Sequence, residues 1–323
     1  MKAVRVPRYG GVEVLEYIDV DQPRPQAGEV LLRVRAAGIN YADVLMRYGM
    51  YPGGLKPPFL AGFEIAGEVA EVGEGIAPDW IGRRVMGMAH SGGYAEYVTA
   101  MSLATMELPQ HFSFEQGAAF PVTYQTAYHA LVTCGRARQG QFVLIHAAAG
   151  GVGTAAVQIS KLLGLRIIAT ASSDDKLEKV RAMGAEICVN YAHEDFVPIV
   201  QEATGGRGCE LILESVGGSV FRNSFKCLAV LGKMVVYGIA SGELEIAHPR
   251  ELLFKNQSVI GLHLTAVAQN PELSKPALKA LSGWVAERRL TPAVGHRFPL
   301  SEVAEAHRLI ESRRSYGKIV LLP

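Results

Sequence analysis

The feature that most constrains the fold of this chain is an apolar segment that runs through a cluster of small residues into a helical pattern. Residues 141–153 read QFVLIHAAAGGVG, and residues 154–163 have the apolar spacing of an amphipathic helix. A strand, a tight glycine turn and a helix in this order begin a βαβ unit. The turn reads A-x-G-x-x-G, so Ala148 stands where the usual dinucleotide-binding pattern has its first glycine. We expect Gly150 to let the backbone approach a pyrophosphate and Gly153 to let the helix pack closely on the strand.

The strand that follows this helix indicates which dinucleotide the turn would bind. An NAD site usually has Asp or Glu roughly 20 residues after the glycine pattern begins, where the carboxylate holds the ribose 2′-OH. Here residues 170–173 read Thr-Ala-Ser-Ser. Ser172 and Lys176 can instead donate hydrogen bonds to a 2′-phosphate, which favours NADP(H). Asp174 and Asp175 follow at the expected start of a helix, and we interpret them as caps, while the alternative that one of them holds a 2′-OH stays open.

The rest of the chain divides into a region of short strands and a region in which strands and helices alternate. Residues 1–110 show apolar strands separated by glycine turns, which predicts a partly closed β-barrel. Ser113 begins a capping-box pattern, and we expect a helix through residues 118–132 that is interrupted or started afresh at Pro121. From residue 141 onwards the alternation predicts βαβ units and a parallel sheet. The predicted fold class is therefore α/β, with a barrel domain and a doubly wound domain.

Length, charge and cysteine content exclude several other classes of protein. A chain of 323 residues is long enough for two domains. The formal net charge of +1 and the lack of like-charge blocks argue against a nucleic-acid partner. The four cysteines have no C-x-x-C spacing, which argues against a disulfide framework and a zinc cluster. We find no secretory signal and no membrane span in the sequence, so we expect a cytoplasmic protein.

A longer pattern around the glycine turn carries a family resemblance. It reads Gly140-Gln141-x-x-Leu144-x-x-x-Ala148-Ala149-Gly150-Gly151-x-Gly153-x-x-x-x-Gln158-x-x-Lys161. This pattern resembles, position for position, the signature of the quinone oxidoreductase/zeta-crystallin family, the zinc-free members of the medium-chain dehydrogenase/reductase superfamily. The resemblance extends over the whole chain and includes residues 38–43 (GINYAD), 125–128 (QTAY), 190–191 (NY) and 317–321 (GKIVL).

The resemblance implies the domain organisation. We expect a GroES-like β-barrel substrate domain formed by residues 1–122 and 265–323. Residues 123–264 would form a Rossmann cofactor domain with a doubly wound parallel sheet. NADPH would bind in a cleft. Residues 258–262 (SVIGL) are apolar and are expected at one edge of the Rossmann sheet, so we also expect a homodimer that pairs through this edge.

The zinc-dependent relatives of this family provide a test for a metal. Their early cysteine ligand falls at Asn40, and their Gly-His-Glu motif reads Gly62-Phe63-Glu64 here. Their lobe with four cysteines would follow residues 83–85, but the chain continues directly to residues 91–94 (SGGY). Because zinc needs a tetrahedral set of Cys, His or carboxylate ligands, we expect no metal. Alcohol oxidation, which depends on that metal, is disfavoured.

The resemblance also implies which residues contact the cofactor. Beside the nicotinamide and its carboxamide these are Asn40, Tyr41 and Thr126. At the pyrophosphate they are Gly150, Gly151, Val152 and Gly153. Around the adenosine 2′-phosphate they are Ser172, Lys176 and Tyr191. After the later strands and in the terminal strand they are Ser215, Val216, Gly238, Ile239, Ser241, Leu262, Leu264 and Lys318.

Without a metal, the implied enzyme needs an acceptor that is already electrophilic. The resemblance therefore implies a quinone oxidoreductase that transfers hydride from NADPH to a quinone or an α,β-unsaturated carbonyl compound, both of them small molecules. We expect Asn40 to polarise the acceptor or to position the reactants. Tyr51 corresponds to a tyrosine that acts as the acid in related enoyl-thioester reductases. Here Tyr51 either donates the proton or only shapes the pocket while water donates it, and a second pocket tyrosine of some members falls at Leu45.

Two other functions stay open at this stage. The first is an enoyl-thioester reductase of the acryloyl-CoA type on the same scaffold. It would need a basic entrance for the CoA phosphates, for which Arg47 and Lys56 are candidates. The second is a non-catalytic nucleotide-binding or RNA-binding protein of the crystallin kind, although the net charge of +1 argues against strong RNA binding.

Overall fold

The computed structural model describes residues 1–323, which form two compact units. The first unit consists of Met1–Val122 and Thr291–Pro323, and the second of Thr123–Leu290. The strands, in chain order, are β1 (Lys2–Val6), β2 (Glu16–Asp19), β3 (Glu29–Ile39), β4 (Phe59–Leu60), β5 (Glu64–Val72), β6 (Arg84–Met88), β7 (Tyr97–Met101), β8 (Thr105–Glu107), β9 (Phe142–Ile145), β10 (Arg166–Ala171), β11 (Ile187–Asn190), β12 (Cys209–Glu214), β13 (Leu228–Val236), β14 (Ser258–Gly261), β15 (Val294–Pro299) and β16 (Lys318–Leu322).

Eleven α-helices connect or flank these strands. They are α1 (Tyr41–Tyr48), α2 (Phe114–Gly117), α3 (Pro121–Tyr128), α4 (Gly151–Leu162), α5 (Asp174–Met183), α6 (Phe196–Ala203), α7 (Gly218–Cys227), α8 (Pro249–Leu253), α9 (Leu264–Ala268), α10 (Pro271–Ala286) and α11 (Val303–Glu311). No helix is long and apolar enough to cross a membrane.

The first unit is built around the long strand β3. In that strand Leu32 and Val34 are buried while Arg33 between them is exposed, which is the alternation expected of a strand with one face on a core. The large sheet has the order β15-β16-β3-β5-β6-β8, and β7 also pairs with β3. A smaller sheet has the order β2-β1-β4. All pairings in this unit are antiparallel except β15 with β16, so the predicted β domain is confirmed.

The second unit is a six-stranded sheet in which every pairing is parallel. Its order is β11-β10-β9-β12-β13-β14, so the chain winds from β9 to one edge and then returns from β12 to the other. This is the doubly wound Rossmann order, and the predicted fold class is confirmed. In such sheets ligands bind outside the carboxyl ends of the strands at the point where the winding reverses, which here lies between β9 and β12.

The boundaries between the two compact units differ in part from the domain boundaries expected from the sequence. The first boundary lies between Val122 and Thr123. The sequence placed the second at residues 264/265, whereas the second compact unit continues to Leu290. Helices α9 and α10 therefore stay with the parallel sheet, and the Trp284 ring of α10 packs against Tyr128 of α3 at a centroid distance of 6.1 Å.

The helical segment around Pro121 follows the sequence pattern with one difference. Ser113 forms the predicted capping box, because its hydroxyl accepts from the Gln116 N–H and the Gln116 side chain accepts from the Ser113 N–H. A new helix, α3, begins at Pro121, where the missing N–H of proline costs no hydrogen bond. The segment His129–Cys134 then continues as π-helix, which the apolar spacing does not predict.

A buried histidine lies directly before the glycine turn. The His146 Nδ1 atom is 3.0 Å from Thr170 Oγ1, and its Nε2 atom is 2.9 Å from Ser224 Oγ. Ser224 already donates to the Val220 carbonyl, so it accepts from His146, and the neutral ring carries its hydrogen on Nε2. Burial lowers the pKa of His146 to about 3. The His146 ring is therefore uncharged at neutral pH.

This histidine predicts a component of acid instability. In the unfolded chain a histidine takes up a proton below about pH 6.5, whereas His146 in the folded protein stays neutral until about pH 3. Because the unfolded state binds the extra proton, stability contributed by His146 is full above the unfolded pKa and falls by about 2 kcal/mol between pH 8 and pH 5. Urea denaturation at pH 8 and pH 5 measures the free energy of unfolding. Between these pH values His146→Gln is expected to lose about 2 kcal/mol less of this free energy than the parent.

The comparison with the parent isolates His146 from other titrating groups. Burial raises the pKa of Asp43 to about 7, so Asp43 acts in the opposite direction over the same pH range. The variant His193→Gln, at an exposed residue, is measured in parallel as a histidine substitution outside the buried core. Equal losses in the parent and in His146→Gln would show that His146 does not carry this proton linkage.

Candidate active site

Two glycines of the glycine turn, Gly150 and Gly153, have different surroundings. Helix α4 begins at Gly151, and Gly150 is its N-cap with an extended backbone (φ −80°). A Cβ atom on Gly153 would lie 2.4 Å from the Ala147 carbonyl oxygen and 2.6 Å from the Ala148 Cα, so no side chain fits there. A Cβ atom on Gly150 would meet only the Ala147 oxygen at 3.4 Å. Gly153 is thus required for packing, whereas Gly150 faces open space.

The start of helix α4 is suited to an anion. The first turn of the helix contains no acidic side chain, and its unpaired N–H groups carry the positive end of the helix dipole. Ala147 has a left-handed backbone (φ +49°), which a non-glycine residue rarely adopts and which reverses the chain between β9 and α4. An open glycine at the N-cap of such a helix fits a bound pyrophosphate.

The three predicted 2′-phosphate residues lie in the segments that follow β10 and β11. Lys176 Nζ donates to Ser172 Oγ at 3.2 Å. Ala171 of β10 is aligned with Asn190 of β11, so Ser172 and Tyr191 are the next residues on neighbouring parallel strands. This arrangement brings the Lys176 ammonium group to the Ser172 hydroxyl and places Tyr191 at the same edge of the sheet.

Asp174 and Asp175, the acids that could hold a ribose hydroxyl, lie in the first turn of helix α5 and not at its N-cap position. Helix α5 begins at Asp174, and its N-cap residue Ser173 makes no side-chain capping bond. The Asp174 carboxylate accepts a hydrogen bond of 2.9 Å from the Asn190 side chain. Both Asp174 and Asp175 lie in the first turn, where negative charge stabilises the helix. Asp174 is thus committed to Asn190, which weakens the alternative that it holds a 2′-OH.

Two loops meet at the carboxyl ends of β12 and β13. The Ala240 N–H donates to the Ser215 carbonyl at 2.8 Å, and the Ser241 N–H donates to the Val216 carbonyl at 2.7 Å. A Cβ atom on Gly238 would lie 3.3 Å from Ser215, so glycine permits this close approach. The structure therefore brings together five predicted cofactor residues, which are Ser215, Val216, Gly238, Ile239 and Ser241.

Sequence reasoning missed the group that shapes the first of these loops. Glu214 ends β12 and is fully buried, and its Oε1 atom accepts from the N–H groups of Val216 (2.6 Å) and Gly217 (3.0 Å). Burial raises the pKa of Glu214, and the backbone N–H groups partly oppose this shift. The signal was an acid at the end of an apolar run, directly before predicted cofactor residues.

The remaining predicted residues of the second unit lie on separate elements. Leu262 follows β14, is buried, and donates its N–H to the Val236 carbonyl at 2.8 Å. Leu264 begins helix α9, and Thr126 is buried in helix α3.

In the first unit, Asn40 is the centre of a buried hydrogen-bond network. Its Oδ1 atom accepts from Lys318 Nζ at 2.6 Å, and its Nδ2 atom donates to Glu64 Oε2 at 3.0 Å. Lys318 and Glu64 form an ion pair of 2.5 Å, in which the side chains are 3% and 0% exposed. Glu64 Oε1 also accepts from the N–H of Val122 at the start of α3. We name Asn40, Glu64 and Lys318 the buried trio.

The buried trio bears on the predicted cofactor contact of Lys318 and on a residue that was not predicted, Glu64. Lys318 was expected to contact the cofactor, and in this structure its ammonium group is buried against Glu64 and Asn40. Sequence reasoning used Glu64 only as the remainder of a metal motif and did not connect it with Lys318. The available signal was a charged residue at the start of each of two apolar strands, β5 and β16.

Asn40 also begins the helix that carries Tyr41 and Asp43. The Asn40 N–H donates to Asp43 Oδ2 at 2.8 Å, and the Tyr94 hydroxyl donates to the same oxygen at 2.8 Å. Burial raises the pKa of Asp43 to about 7, although both hydrogen bonds oppose this shift. Burial and the nearby Asp43 charge raise the pKa of Tyr51, so the Tyr51 phenol keeps its proton at neutral pH. Tyr51 is half-buried and follows α1.

One expected feature of a CoA site is contradicted. Arg47, a candidate for a basic entrance, is only 1% exposed. Its guanidinium group pairs with Glu311 at 2.7 Å and donates to His307 Nδ1 at 3.3 Å. Arg47 is therefore a structural residue of the first unit, because helix α1 places it on the face that packs against α11. Lys56 remains exposed.

The residues at the zinc-motif positions do not fit a metal. The structure brings together no group of three or more His, Cys, Asp or Glu side chains that could hold one. Phe63 lines a small cavity with Asp43, Met46 and Phe59. Glu64, the one carboxylate of the motif, is already bound to Lys318, Asn40 and the Val122 N–H. We therefore derive no chemical step through a metal ion.

Comparison with known proteins defines the class. Residues 26–110 match the family model of the alcohol dehydrogenase GroES-like domain. Residues 151–282 match the family model of the zinc-binding dehydrogenase. This pair of domains places the chain among the oxidoreductases of the medium-chain dehydrogenase/reductase superfamily.

Individual relatives narrow the class further. The chain is 34% identical to quinone oxidoreductase of Rattus norvegicus over 325 residues, which covers 100% of this chain and 98% of the relative. The quinone oxidoreductase of Escherichia coli, solved in complex with NADPH, superposes with a TM-score of 0.94 at 30% identity and full coverage of both chains. The quinone oxidoreductase of Thermus thermophilus, also solved with NADPH, is 39% identical with a TM-score of 0.88 and full coverage of both chains. The chain belongs to the quinone oxidoreductase family.

Proposed function

We propose that this enzyme is an NADPH-dependent quinone oxidoreductase that reduces quinones or α,β-unsaturated carbonyl compounds without a metal ion. The observation that carries the proposal is the open N-cap Gly150 in a Rossmann unit whose next strand, β10, is followed by the hydrogen-bonded Ser172 and Lys176. The relatives that were solved with NADPH support the same cofactor. The occupied carboxylate of Glu64 supports a reaction without a metal ion.

The residues of the second unit would hold the nucleotide. The pyrophosphate would lie against Gly150 and the start of α4, while Ser172, Lys176 and Tyr191 would surround the 2′-phosphate. The two loops after β12 and β13 would line the path towards the nicotinamide, as would Leu262, Leu264 and Thr126. When bound, NADPH supplies the hydride.

The preference for NADPH predicts a selective effect of one lysine. In Lys176→Ala, the Kd for NADPH should rise roughly 10- to 100-fold, because a charge-assisted contact to the 2′-phosphate is lost. The Kd for NADH should stay within about twofold, since NADH lacks that phosphate. Fluorescence titration of both reduced cofactors measures the two constants.

A lysine on the same helix provides the control for this titration. Lys179 is exposed on α5, and Lys179→Ala should leave both constants unchanged. If NADH binds to the parent as tightly as NADPH, the proposed 2′-phosphate site is contradicted.

The residues of the first unit would act on the acceptor. Negative charge develops on the acceptor oxygen as hydride arrives, and hydrogen-bond donors at that oxygen lower the barrier. Asn40 Nδ2 carries two hydrogens; it donates to Glu64 Oε2 at 3.0 Å and lies 3.5 Å from the Gly38 carbonyl oxygen. We propose that the Nδ2 hydrogen not bound to Glu64 donates to the acceptor oxygen. The Tyr51 phenol, protonated at neutral pH, is the proposed proton source.

A substrate panel tests the proposed function. We expect turnover with 1,2-naphthoquinone and with 2-cyclohexenone, and little with crotonyl-CoA, because Arg47 is buried and offers no basic entrance. Efficient reduction of crotonyl-CoA would favour the enoyl-thioester alternative. NADPH binding without turnover of any acceptor would favour the non-catalytic alternative.

The variant Tyr51→Phe tests the proposed proton source with the same acceptors. Quinone reduction should persist while enone reduction falls, since a reduced quinone is stable as an anion and an enone needs a proton.

We also propose that two copies of the chain pair through the edge of the parallel sheet. Strand β14 is the last strand of that sheet. Large apolar side chains in the segment that precedes β14 are exposed, and they include Leu244 (80%), Ile246 (76%), Leu253 (74%) and Phe254 (79%). Unpaired edge strands and exposed apolar patches of this kind are typical of protein interfaces.

Light scattering at micromolar concentration tests this assembly. The parent should have the mass of a dimer, and Leu253→Lys/Phe254→Lys should shift it towards the monomer, because two charges would be buried at the interface. Leu103 in the first unit is 93% exposed, so Leu103→Lys is a matched control that should remain dimeric. A monomeric parent would contradict the proposal.

The cellular setting is part of the proposal. All four cysteines are free thiols, as is usual in the reducing cytoplasm, where we place this enzyme. The near-neutral charge of the chain supports a small-molecule substrate over a nucleic-acid partner.

A further inference from the structure

The buried trio contains an ion pair, Lys318 with Glu64, that has almost no contact with solvent. Lys318 and Glu64 are both almost completely buried, and burying two charges is costly unless each is paired and hydrogen-bonded. Here each charge is bonded to the other and also to the side chain of Asn40. Replacing such a pair by apolar residues would often stabilise a protein, so its presence calls for a role other than stability.

The chemistry of the two partners fixes the orientation of the Asn40 amide. An ammonium group has only donors, so Lys318 can face only the Oδ1 atom. A carboxylate has only acceptors, so Glu64 can face only the Nδ2 atom. A flipped amide would lose both hydrogen bonds, and the Asn40 side chain therefore has a single orientation in the folded protein.

The backbone next to Asn40 is shaped to admit this network. A Cβ atom on Gly38 would lie 2.0 Å from the Ala118 carbonyl oxygen, 2.7 Å from Lys318 Cε and 3.1 Å from Glu64 Oε2. The Ala118 backbone therefore requires glycine at this position, and the glycine also leaves room for the Lys318 and Glu64 side chains beside Asn40. This explains in physical terms the glycine that begins the segment Gly38-Ile39-Asn40.

We propose that Glu64 and Lys318 are positioning residues for the reaction, which aim the second Nδ2 hydrogen of Asn40 and strengthen it as a donor. Lys318 draws electron density towards Oδ1, and this makes the amide N–H groups better donors. Glu64 holds one hydrogen, so the other has a fixed direction. This inference rests on the proposed function, in which Asn40 donates to the acceptor oxygen.

A charge-balanced double variant separates positioning from stability. Lys318→Met leaves the Glu64 charge buried and unpaired, so the Tm should fall by roughly 10 °C. In Glu64→Gln/Lys318→Met no charge is left unpaired, and much of that Tm should return. Hydride transfer to a quinone should nevertheless stay slower by roughly tenfold or more, because no ammonium polarises Asn40. The Kd for NADPH should remain within about twofold of the parent.

A lysine in an exposed ion pair provides the control for these variants. Lys2 forms an exposed ion pair with Asp19 in the same unit, so Lys2→Met should change neither Tm nor rate appreciably. If the double variant recovers rate and Tm together, the pair has only a structural role. A large rise in the Kd for NADPH in the double variant would instead assign Lys318 to the cofactor and overturn the inference.

A measurement that does not depend on turnover completes the test. In protein labelled with ¹⁵N-asparagine and free of cofactor, the Asn40 amide resonances are identified by their absence in Asn40→Ala. They should exchange slowly with solvent in the parent and faster in the double variant. Fast exchange in an active parent would contradict the positioning role alone. Slow exchange in a parent that reduces no acceptor would contradict the proposed function, and the positioning role would fall with it.

Discussion

Replacing Asn40 with alanine is expected to lower the turnover number with a quinone by roughly 10²–10³, the usual cost of one donor to a developing oxyanion. The Kd for NADPH should change by less than about threefold, because the lost donor acts on the acceptor and not on the nucleotide. Some stability should also be lost, since Lys318 and Glu64 each lose a hydrogen bond. Steady-state kinetics, cofactor titration and thermal unfolding measure the three effects separately.

A second asparagine provides the control for Asn40→Ala. Asn270 caps helix α10, where its side chain accepts from the Glu272 N–H at 3.0 Å. Asn270→Ala should cost about 1 kcal/mol of stability and leave the turnover number unchanged. If Asn40→Ala instead raises the Kd for NADPH strongly at an unchanged turnover number, Asn40 contacts only the cofactor, and its role as a donor to the acceptor is contradicted.

Two alanine substitutions in the glycine turn should have opposite consequences. Gly150→Ala should fold with a nearly unchanged Tm, because the new methyl group meets only one atom at 3.4 Å and the backbone is extended. The same methyl group would occupy the face where the pyrophosphate approaches, so the Kd for NADPH should rise roughly 100-fold. Isothermal titration and thermal unfolding of this one variant test both expectations.

Gly153→Ala serves as the comparison. Its Cβ atom would lie within 2.6 Å of backbone atoms that cannot move independently, so this variant should lose about 3 kcal/mol or fail to fold. If Gly150→Ala binds NADPH as tightly as the parent, the pyrophosphate does not lie at this turn. If Gly150→Ala unfolds instead, Gly150 is a packing residue and the assignment of roles to the two glycines is wrong.

Features encoded by neighbouring residues could be predicted from the sequence. The strand, the turn and helix α4 are contiguous, and the alternation of strands and helices after residue 141 requires a parallel sheet. The family resemblance grouped Ser172 with Tyr191, and the parallel register of β10 and β11 brings both residues to the same edge of the sheet. The capping box at Ser113 is likewise local, and the structure confirms it.

Features that depend on distant partners could not be predicted in this way. Asn40 and Lys318 are separated by 278 positions, and their contact exists only because β16 returns to pair with β3. The commitment of Arg47 to Glu311 and His307 depends on the same return of the chain. The continuation of the second unit to Leu290 depends on packing such as that of Trp284 on Tyr128, which no local pattern expresses.

The central claim is that this enzyme transfers hydride from NADPH to a quinone without a metal ion. The most direct measurement is an anaerobic stopped-flow record of NADPH absorbance after mixing chelator-treated enzyme and NADPH with 1,2-naphthoquinone. NADPH deuterated at the transferred C4 position is used in parallel. We predict that one NADPH is consumed per quinone, that deuterium slows the step, and that the chelator leaves its rate unchanged. Failure of the chelated enzyme to oxidise NADPH, with activity restored by added zinc, would contradict the account.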